Sequence, residues 1–230
     1  MTLQETMTAL EFMGTEQNRK VYARHGMTGS TYGVSFANLG KLKKKIGTDH
    51  QLAVRLWKTG NADACHLALQ IADPRQMRSG DLDAWVNDIP YYLLGDLLSV
   101  LVWKTSFARQ KMTRWTRSKQ EFTAQVGWNL VGCCALHDAD LPDGHFEGLL
   151  AVIEREIHQA KNRVKHAMNG VLIAIGIRNA RLEKLALAAA ARIGKVEVDH
   201  GETSCKTPDA AAYIRKAAAR NKGVNRKGKR

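Results

Sequence analysis

A chain of 230 residues with 44% hydrophobic content is long enough to bury a core of its own and too apolar to be disordered throughout, as one domain or two small ones. No apolar run approaches the ~18 residues of a membrane span. The start MTLQETMTALEFMG carries acids and no basic segment, unlike a secretion signal, and four cysteines with no CxxC pair point to a reduced, cytoplasmic setting without disulfides or structural zinc. A net charge of +13 favours an anionic partner, nucleic acid above all.

Few prolines and many Ala and Leu predict a helical protein, and helical spacing recurs along the chain. A first basic cluster, Lys41, Lys43, Lys44 and Lys45, precedes a break at Gly47. Further breaks fall at Gly60, Asp73-Pro74, Gly80 and Pro90. After Pro90, Ile89, Leu93, Leu97 and Val100 are expected to form the core stripe of a helix from about Asp88 to Val102. A second basic cluster follows at Arg109, Lys111, Arg114, Arg117 and Lys119, with no acid among them. Phe122, Val126, Leu130, Cys133 and His137 make the next apolar stripe, broken at Pro142-Asp143-Gly144. Leu149, Leu150, Val152, Ile153 and Ile157 make another. Lys161, Arg163, Lys165 and His166 form a third basic cluster, followed by the stripe Val164, Met168, Val171, Leu172 and Ile175. Arg178 and Arg181 flank the next break, and Leu182, Leu185, Ala186, Ala189 and Ile193 follow up to Gly194. The stretch 194–206 has room for a short extended segment. Thr207 is expected to cap a last helix with Pro208 in its first turn. The last twenty residues hold Arg215, Lys216, Arg220, Lys222, Arg226, Lys227, Lys229 and Arg230 and no acid. Residues 215–230 read as a basic tail, either solvated or binding phosphate, and residues 1–214 as the folded domain.

Some eleven or twelve helices of roughly 11–20 residues result, with pairs spaced by roughly 40 residues, near the HEAT period. Such pairs stack into a right-handed solenoid with a concave face; an ordinary helical globule has the same periodicity.

Several stretches resemble the DNA alkylation repair family of HEAT-like proteins, the AlkD type. They are Gly33-Val34-Ser35-Phe36 with Leu39 and Leu42, then Leu52-Ala53-Val54-Arg55-Leu56-Trp57, the IADP at Ile71–Pro74, the segments Trp85–Asp96 and Arg163–Asn179, and the run Val196–Ile214. The resemblance spans residues 30–215 as a pattern over many positions. It implies an all-α solenoid that cradles duplex DNA on a basic concave surface. It also implies hydrolysis of the N-glycosidic bond of cationic alkylated purines by active members.

The candidate chemistry centres on a second stripe beside the expected core face of the helix after Pro90: Tyr92, Asp96, Ser99 and Trp103, at i, i+4, i+7 and i+11. An aspartate mid-helix is unfavourable, so Asp96 is either a site carboxylate or the partner of a nearby Arg or Lys. A gap-free match to the family's WDxxD-like element puts Tyr92 at its Trp and Asp96 at its catalytic Asp. A purine alkylated at N3 or N7 is already cationic and leaves without a general acid. A fixed carboxylate then has only to stabilise the developing oxocarbenium sugar, and aromatic faces add cation–π attraction. The chain departs from the pattern at Leu93, where the first Asp would stand, at Gln125, where the family has its catalytic Arg, and at Gly170, where it has an aromatic. Trp103 and Trp128 are candidates to replace the lost aromatic surface.

Arg163, Lys165 and Lys206 are the candidate phosphate contacts, with Lys195. The loop Val198–Lys206 lacks a usual zinc spacing and reads as one ordered through Asp and Glu hydrogen bonds. His66 reads as packed, and Cys133-Cys134 and most tryptophans as core. Neither metal nor cofactor is called for, and the protein reads as a monomer. Three functions compete: a glycosylase for alkylpurines, a non-catalytic relative binding duplex, branched or damaged DNA, and a protein-binding HEAT scaffold. The third conflicts with the clustered lysines, since interface cores are depleted in charge.

Overall fold

The computed structural model describes residues 1–227, with side chains through residue 220. The tail residues Lys222, Arg226 and Lys227 therefore have no side-chain description, and Lys229 and Arg230 lie outside the described residues. Thirteen α-helices are described: α1 (Leu3–Met13), α2 (Glu16–Arg24), α3 (Phe36–Ile46), α4 (His50–Trp57), α5 (Ala62–Ile71), α6 (Ser79–Asn87), α7 (Tyr92–Trp103), α8 (Ala108–Trp115), α9 (Glu121–His137), α10 (Asp143–Glu156), α11 (Asn162–Arg178), α12 (Ala180–Ile193) and α13 (Ala210–Lys227). That is one or two more than the spacing predicts. The difference lies in the first half, where several helices are only 8–10 residues long. Among the described residues the one β pairing is an isolated bridge between Gly14 and Val34, and the stretch 194–206 forms no strand. No described helix is long and apolar enough to cross a membrane.

The chain divides into two compact units, residues 1–115 with 200–204, and residues 116–199 with the chain from 205 onward. In the first, α5 packs on α3, α4 and α7, while α1 leans on α4 and α5, and α6 and α8 touch α7. In the second, α11 packs on α9, α10, α12 and α13, and α10 packs on α12. Alternate helices thus form rows within each unit, α3–α5–α7 in one and α9–α11–α13 in the other, as stacked helical repeats do.

Local sequence explains the joints. Thr2, Thr15, Ser35, Asp49, Asn61 and Asn179 each accept a backbone N–H of the helix they open. The Gly33-Val34-Ser35-Phe36 motif is one such joint. Gly33 sits at φ 77°, and a Cβ there would lie 2.5 Å from the Thr15 carbonyl oxygen, so only glycine fits. The Asp63 carboxylate, at the buried start of α5, accepts from the Thr31 hydroxyl (2.7 Å) and from the backbone N–H groups of Tyr32 (2.7 Å), Gly33 (3.1 Å) and Val34 (3.0 Å). The Tyr22 hydroxyl donates to the Val34 carbonyl. Phe36 lies between Tyr22 and His66, with ring centroids 6.1 and 5.0 Å away.

Several predicted faces shift. The helix after Pro90 begins at Tyr92, because the proline and the extended Tyr91 end the preceding turn. Its core face is Leu94, Leu98, Leu101 and Val102, whereas Leu93 and Leu97 are half-buried and Val100 is 48% exposed. On α9 the core runs through Val126, Leu130 and Cys134; His137 is exposed and Cys133 half-buried. On α12 Leu185 is exposed while Leu182, Ala186, Ala189 and Ile193 are buried. The α11 stripe of Val164, Met168, Val171, Leu172 and Ile175 is buried throughout. Asp209, not Thr207, caps α13: its carboxylate accepts from the Ala212 N–H at 2.7 Å.

Candidate nucleic-acid interface

The N-terminal unit carries one group of candidates on α7. Tyr92, Asp96 and Trp103 are all half-buried, one turn or two apart on the same helix. Ser99, expected on the same stripe, is buried, and its hydroxyl donates to the Asp96 carbonyl at 2.6 Å. The Tyr92 hydroxyl lies 2.6 Å from Nδ1 of His25, the residue that ends α2, and the two rings are 6.0 Å apart. No spacing argument singles out His25, which lies 67 positions from Tyr92 in the chain. This arrangement orients a phenol one turn before a carboxylate. It suits a cationic group, which the carboxylate attracts and an aromatic face accommodates.

The other tryptophans of this unit hold the fold. Trp57 and Trp85 stack with centroids 4.4 Å apart, and the Trp57 indole donates to Asp88 at 3.4 Å. Trp115 donates to Asp83 at 3.1 Å. His66 is 6% exposed, and burial pushes its imidazole down to about 4.

The basic clusters separate once their partners are seen. Lys43, Lys44 and Lys45 are exposed in the last turn of α3, a helix without an acid, where they also offset the negative end of the helix dipole. Lys41 is exposed and donates to Asn38. In the second cluster Lys111 is 1% exposed. Its ammonium sits 2.8 Å from Asp83 and donates to the Ser79 carbonyl at 2.9 Å. Arg114 reaches the same carboxylate at 3.1 Å. Burial would raise the Asp83 carboxyl, but the hydrogen bond and charge of Lys111, with Trp115 and Arg114, hold it below its ordinary value. The stretch 109–119 holds no acid of its own, yet the fold brings one from α6. Lys111 is therefore committed to structure, whereas Arg114 stays exposed in a surface pair.

In the C-terminal unit, Arg178 is likewise a structural residue. Its guanidinium donates to the carbonyls of Ala135 (2.9 Å), Cys134 (3.4 Å), Asp138 (2.9 Å) and Leu141 (3.0 Å), lies 3.4 Å from Asp143, and covers the Phe146 ring at 4.7 Å. Arg181 pairs with Glu147 at 2.8 Å. Lys161 is exposed and donates to the Lys119 carbonyl, while Arg163 and Lys165 are half-buried near the start of α11. The Arg163 N–H donates to Glu121 at 2.7 Å. Lys206 is exposed, and Lys195 pairs with Glu197 at 2.8 Å.

Gln125 and Trp128 lie on α9 and are 3% and 2% exposed. Gly170 faces solvent on α11, and a Cβ there would meet nothing within 4 Å. The loop 198–206 is held in part through its backbone. Asn162 brackets the Asp199 backbone, donating to its carbonyl at 2.7 Å and accepting from its N–H at 2.8 Å, and Thr203 donates to the His200 carbonyl. No group of three or more His, Cys, Asp or Glu among the described residues is placed to hold a metal.

Stacked helical rows with basic surface define the class of protein as a HEAT-like helical repeat. The model of the family described as DNA alkylation repair enzyme matches residues 6–214, and the chain belongs to that family. A solved structure described as "a new family of proteins related to the HEAT-like repeat DNA glycosylases with affinity for branched DNA structures" superposes with a TM-score of 0.86. It shares 28% identity, over 96% of this chain and 95% of that one. The uncharacterized protein Lin0241 of Listeria innocua is 30% identical over 96% of this chain and 99% of its own length. Lmo0209 of Listeria monocytogenes is 30% identical over 96% of this chain and 100% of its own.

Proposed function

We propose that this protein is a DNA-binding member of the family that recognises branched DNA through exposed and half-buried lysines and arginines. The observation that carries this reading is the state of two site positions. Position 125 presents a buried amide where the resemblance implies a catalytic guanidinium, and position 170 presents bare backbone where it implies an aromatic. A neutral, buried Gln holds no phosphate, and glycine offers no ring to a base. What remains is electrostatic attraction for the backbone, which needs no lesion. The branched-DNA affinity of the solved relative supports the choice of substrate. The candidate contacts are Lys43, Lys44 and Lys45 in one unit, and Arg163, Lys165 and Lys206 in the other. Titrating labelled four-way, splayed-arm and fully paired DNA at several salt concentrations tests this. The branched forms are expected to bind tighter, and a slope near −0.9 per neutralised phosphate is expected on paired DNA.

A second reading rests on α7. Asp96 keeps the carboxylate, half-buried, one turn after a tyrosine oriented by His25. In that reading Asp96 stabilises the oxocarbenium as a cationic alkylpurine departs, and Tyr92 and Trp103 line the approach. Asp96→Asn keeps the shape and removes the charge. The expected loss is 10²–10³ in single-turnover release of 7-methylguanine or 3-methyladenine, about 2.7–4 kcal/mol, with DNA affinity unchanged. Equal release by both proteins removes Asp96 from any such chemistry. No release by the wild type leaves branched-DNA binding as the function.

A further inference from the structure

The C-terminal unit carries a groove that none of the candidate contacts touches. Leu136 at the end of α9 and Ile177 at the end of α11 form its floor, and Tyr213, Lys216, Ala217 and Arg220 of α13 form its wall, around a cavity of about 580 Å³. The four wall residues follow at i, i+3, i+4 and i+7, so they share one face of the helix. The core of the same helix is a different face, where Ala210 and Ile214 are buried. Tyr213 is 51% exposed and Leu136 47%, an unusual placement for large apolar groups at the edge of a hollow. Both cations are exposed, and among the described residues no acid lines this hollow. The same floor residues border a second hollow of about 360 Å³, whose acid, Asp143, is already engaged by Arg178 and Asn179.

A half-exposed aromatic, an aliphatic floor and two cations one helical turn apart match one class of ligand well. Every nucleobase has a π-face that stacks on such a ring without regard to sequence, and the attached backbone needs cations alongside. A paired duplex keeps its bases stacked inside and offers the ring nothing. A lipid surface or an acidic peptide would engage the cations but give the isolated tyrosine no stacking partner. We propose that this groove binds an unpaired nucleotide of single-stranded DNA, its base against Tyr213 over Leu136 and Ile177 and its phosphates on Lys216 and Arg220. The proposal rests on the branched-DNA reading and names the feature of a branch that α13 detects.

The test is fluorescence anisotropy of the full chain with splayed-arm DNA, fully paired DNA of equal length and a single strand, supported by sedimentation velocity of the protein alone. Tyr213→Ala is expected to weaken the single strand and the splayed arm by about tenfold or more while leaving paired DNA within about twofold. Tyr213→Phe, which keeps the ring, is expected to retain both. Lys216→Gln with Arg220→Gln is expected to reduce the single-strand salt slope by about 1.4, or 0.7 for each phosphate. Equal loss on paired and unpaired DNA would make α13 a general phosphate contact and overturn the proposal. No loss on any DNA overturns it too, and if Tyr213→Ala then also dissociates a dimer, the groove belongs to a second copy of the chain. Failure of the wild type to bind any of the three at low salt would instead remove the branched-DNA reading itself.

Discussion

A lysine with 1% of its surface exposed persists only if its charge is answered, and Asp83 answers Lys111 at 2.8 Å. The two ends of this pair are not equivalent to mutation. Asp83→Asn leaves the ammonium buried without a countercharge, held by the Ser79 carbonyl and the face of the Trp115 ring, and is expected to cost about 3 kcal/mol in urea unfolding. Lys111→Met removes the buried charge and leaves Asp83, which is partly solvated and keeps Arg114 and Trp115, so the expected cost is smaller, about 1 kcal/mol. Equal losses would contradict this account, as would a fall in DNA affinity for Lys111→Met. His66 contributes a pH dependence of its own. Its imidazole is held at about 4 when folded and titrates near about 6.5 when unfolded. Above about 6.5 both states are neutral. As pH falls toward about 4 the unfolded chain takes up a proton that the folded chain refuses, so stability is lost over that window and no further below it. His66→Leu is expected to lose about 2–3 kcal/mol less than the wild type between pH 7 and pH 4.5; parallel losses would count against the burial of an uncharged imidazole. His66 was legible in the sequence as a packed residue. The ion pair of Lys111 was not, since its acid lies 28 positions away on another helix.

Between neighbouring helices, single side chains do the joining. Arg178 collects four carbonyls around the C-terminal end of α9, together with Asp143 and the Phe146 ring. A lysine there supplies one point charge in place of a planar fork. Arg178→Lys is expected to destabilise the protein by about 2 kcal/mol, with early amide exchange at the end of α9; an unchanged unfolding midpoint would show that the fork is dispensable. The same scale explains what the family pattern encodes. In Gly33-Val34-Ser35-Phe36 and the IADP turn the quoted residues close joints: Asp63 ties the first, and Asp73 ties the second through Arg75 and Gln76. Such residues make the fold readable from sequence while saying little about chemistry. Apolar periodicity found the buried stripe of α11, because that helix packs on α9, α10, α12 and α13 and is buried on most sides. It missed the face of α7, where Leu93, Leu94, Leu97, Leu98, Val100, Leu101 and Val102 leave two apolar faces to choose between and only packing on α5, α6 and α8 decides.

For the whole molecule, net charge pointed to an anionic partner, and the distribution of that charge refines the reading. Part of the surplus is paired within the protein: Lys111 and Arg178 are enclosed against Asp83 and Asp143, and Arg114 and Arg181 hold surface ion pairs with Asp83 and Glu147. Part stays exposed, at Lys43, Lys44 and Lys45, at Lys206, and along α13 at Arg215, Lys216 and Arg220. The catalytic residues that the resemblance implies are thinned to Asp96 and a tyrosine, so the account rests on binding rather than bond cleavage. Its central claim is preference for a branch over paired DNA. The most direct measurement is competition: labelled four-way DNA bound to the full chain, challenged with unlabelled four-way or fully paired DNA of equal phosphate content, at about 50 and 200 mM salt. The account predicts that four-way DNA competes about tenfold better than paired DNA at both salts, while each affinity falls steeply with salt. Equal competition by paired DNA, or binding indifferent to salt, would contradict it.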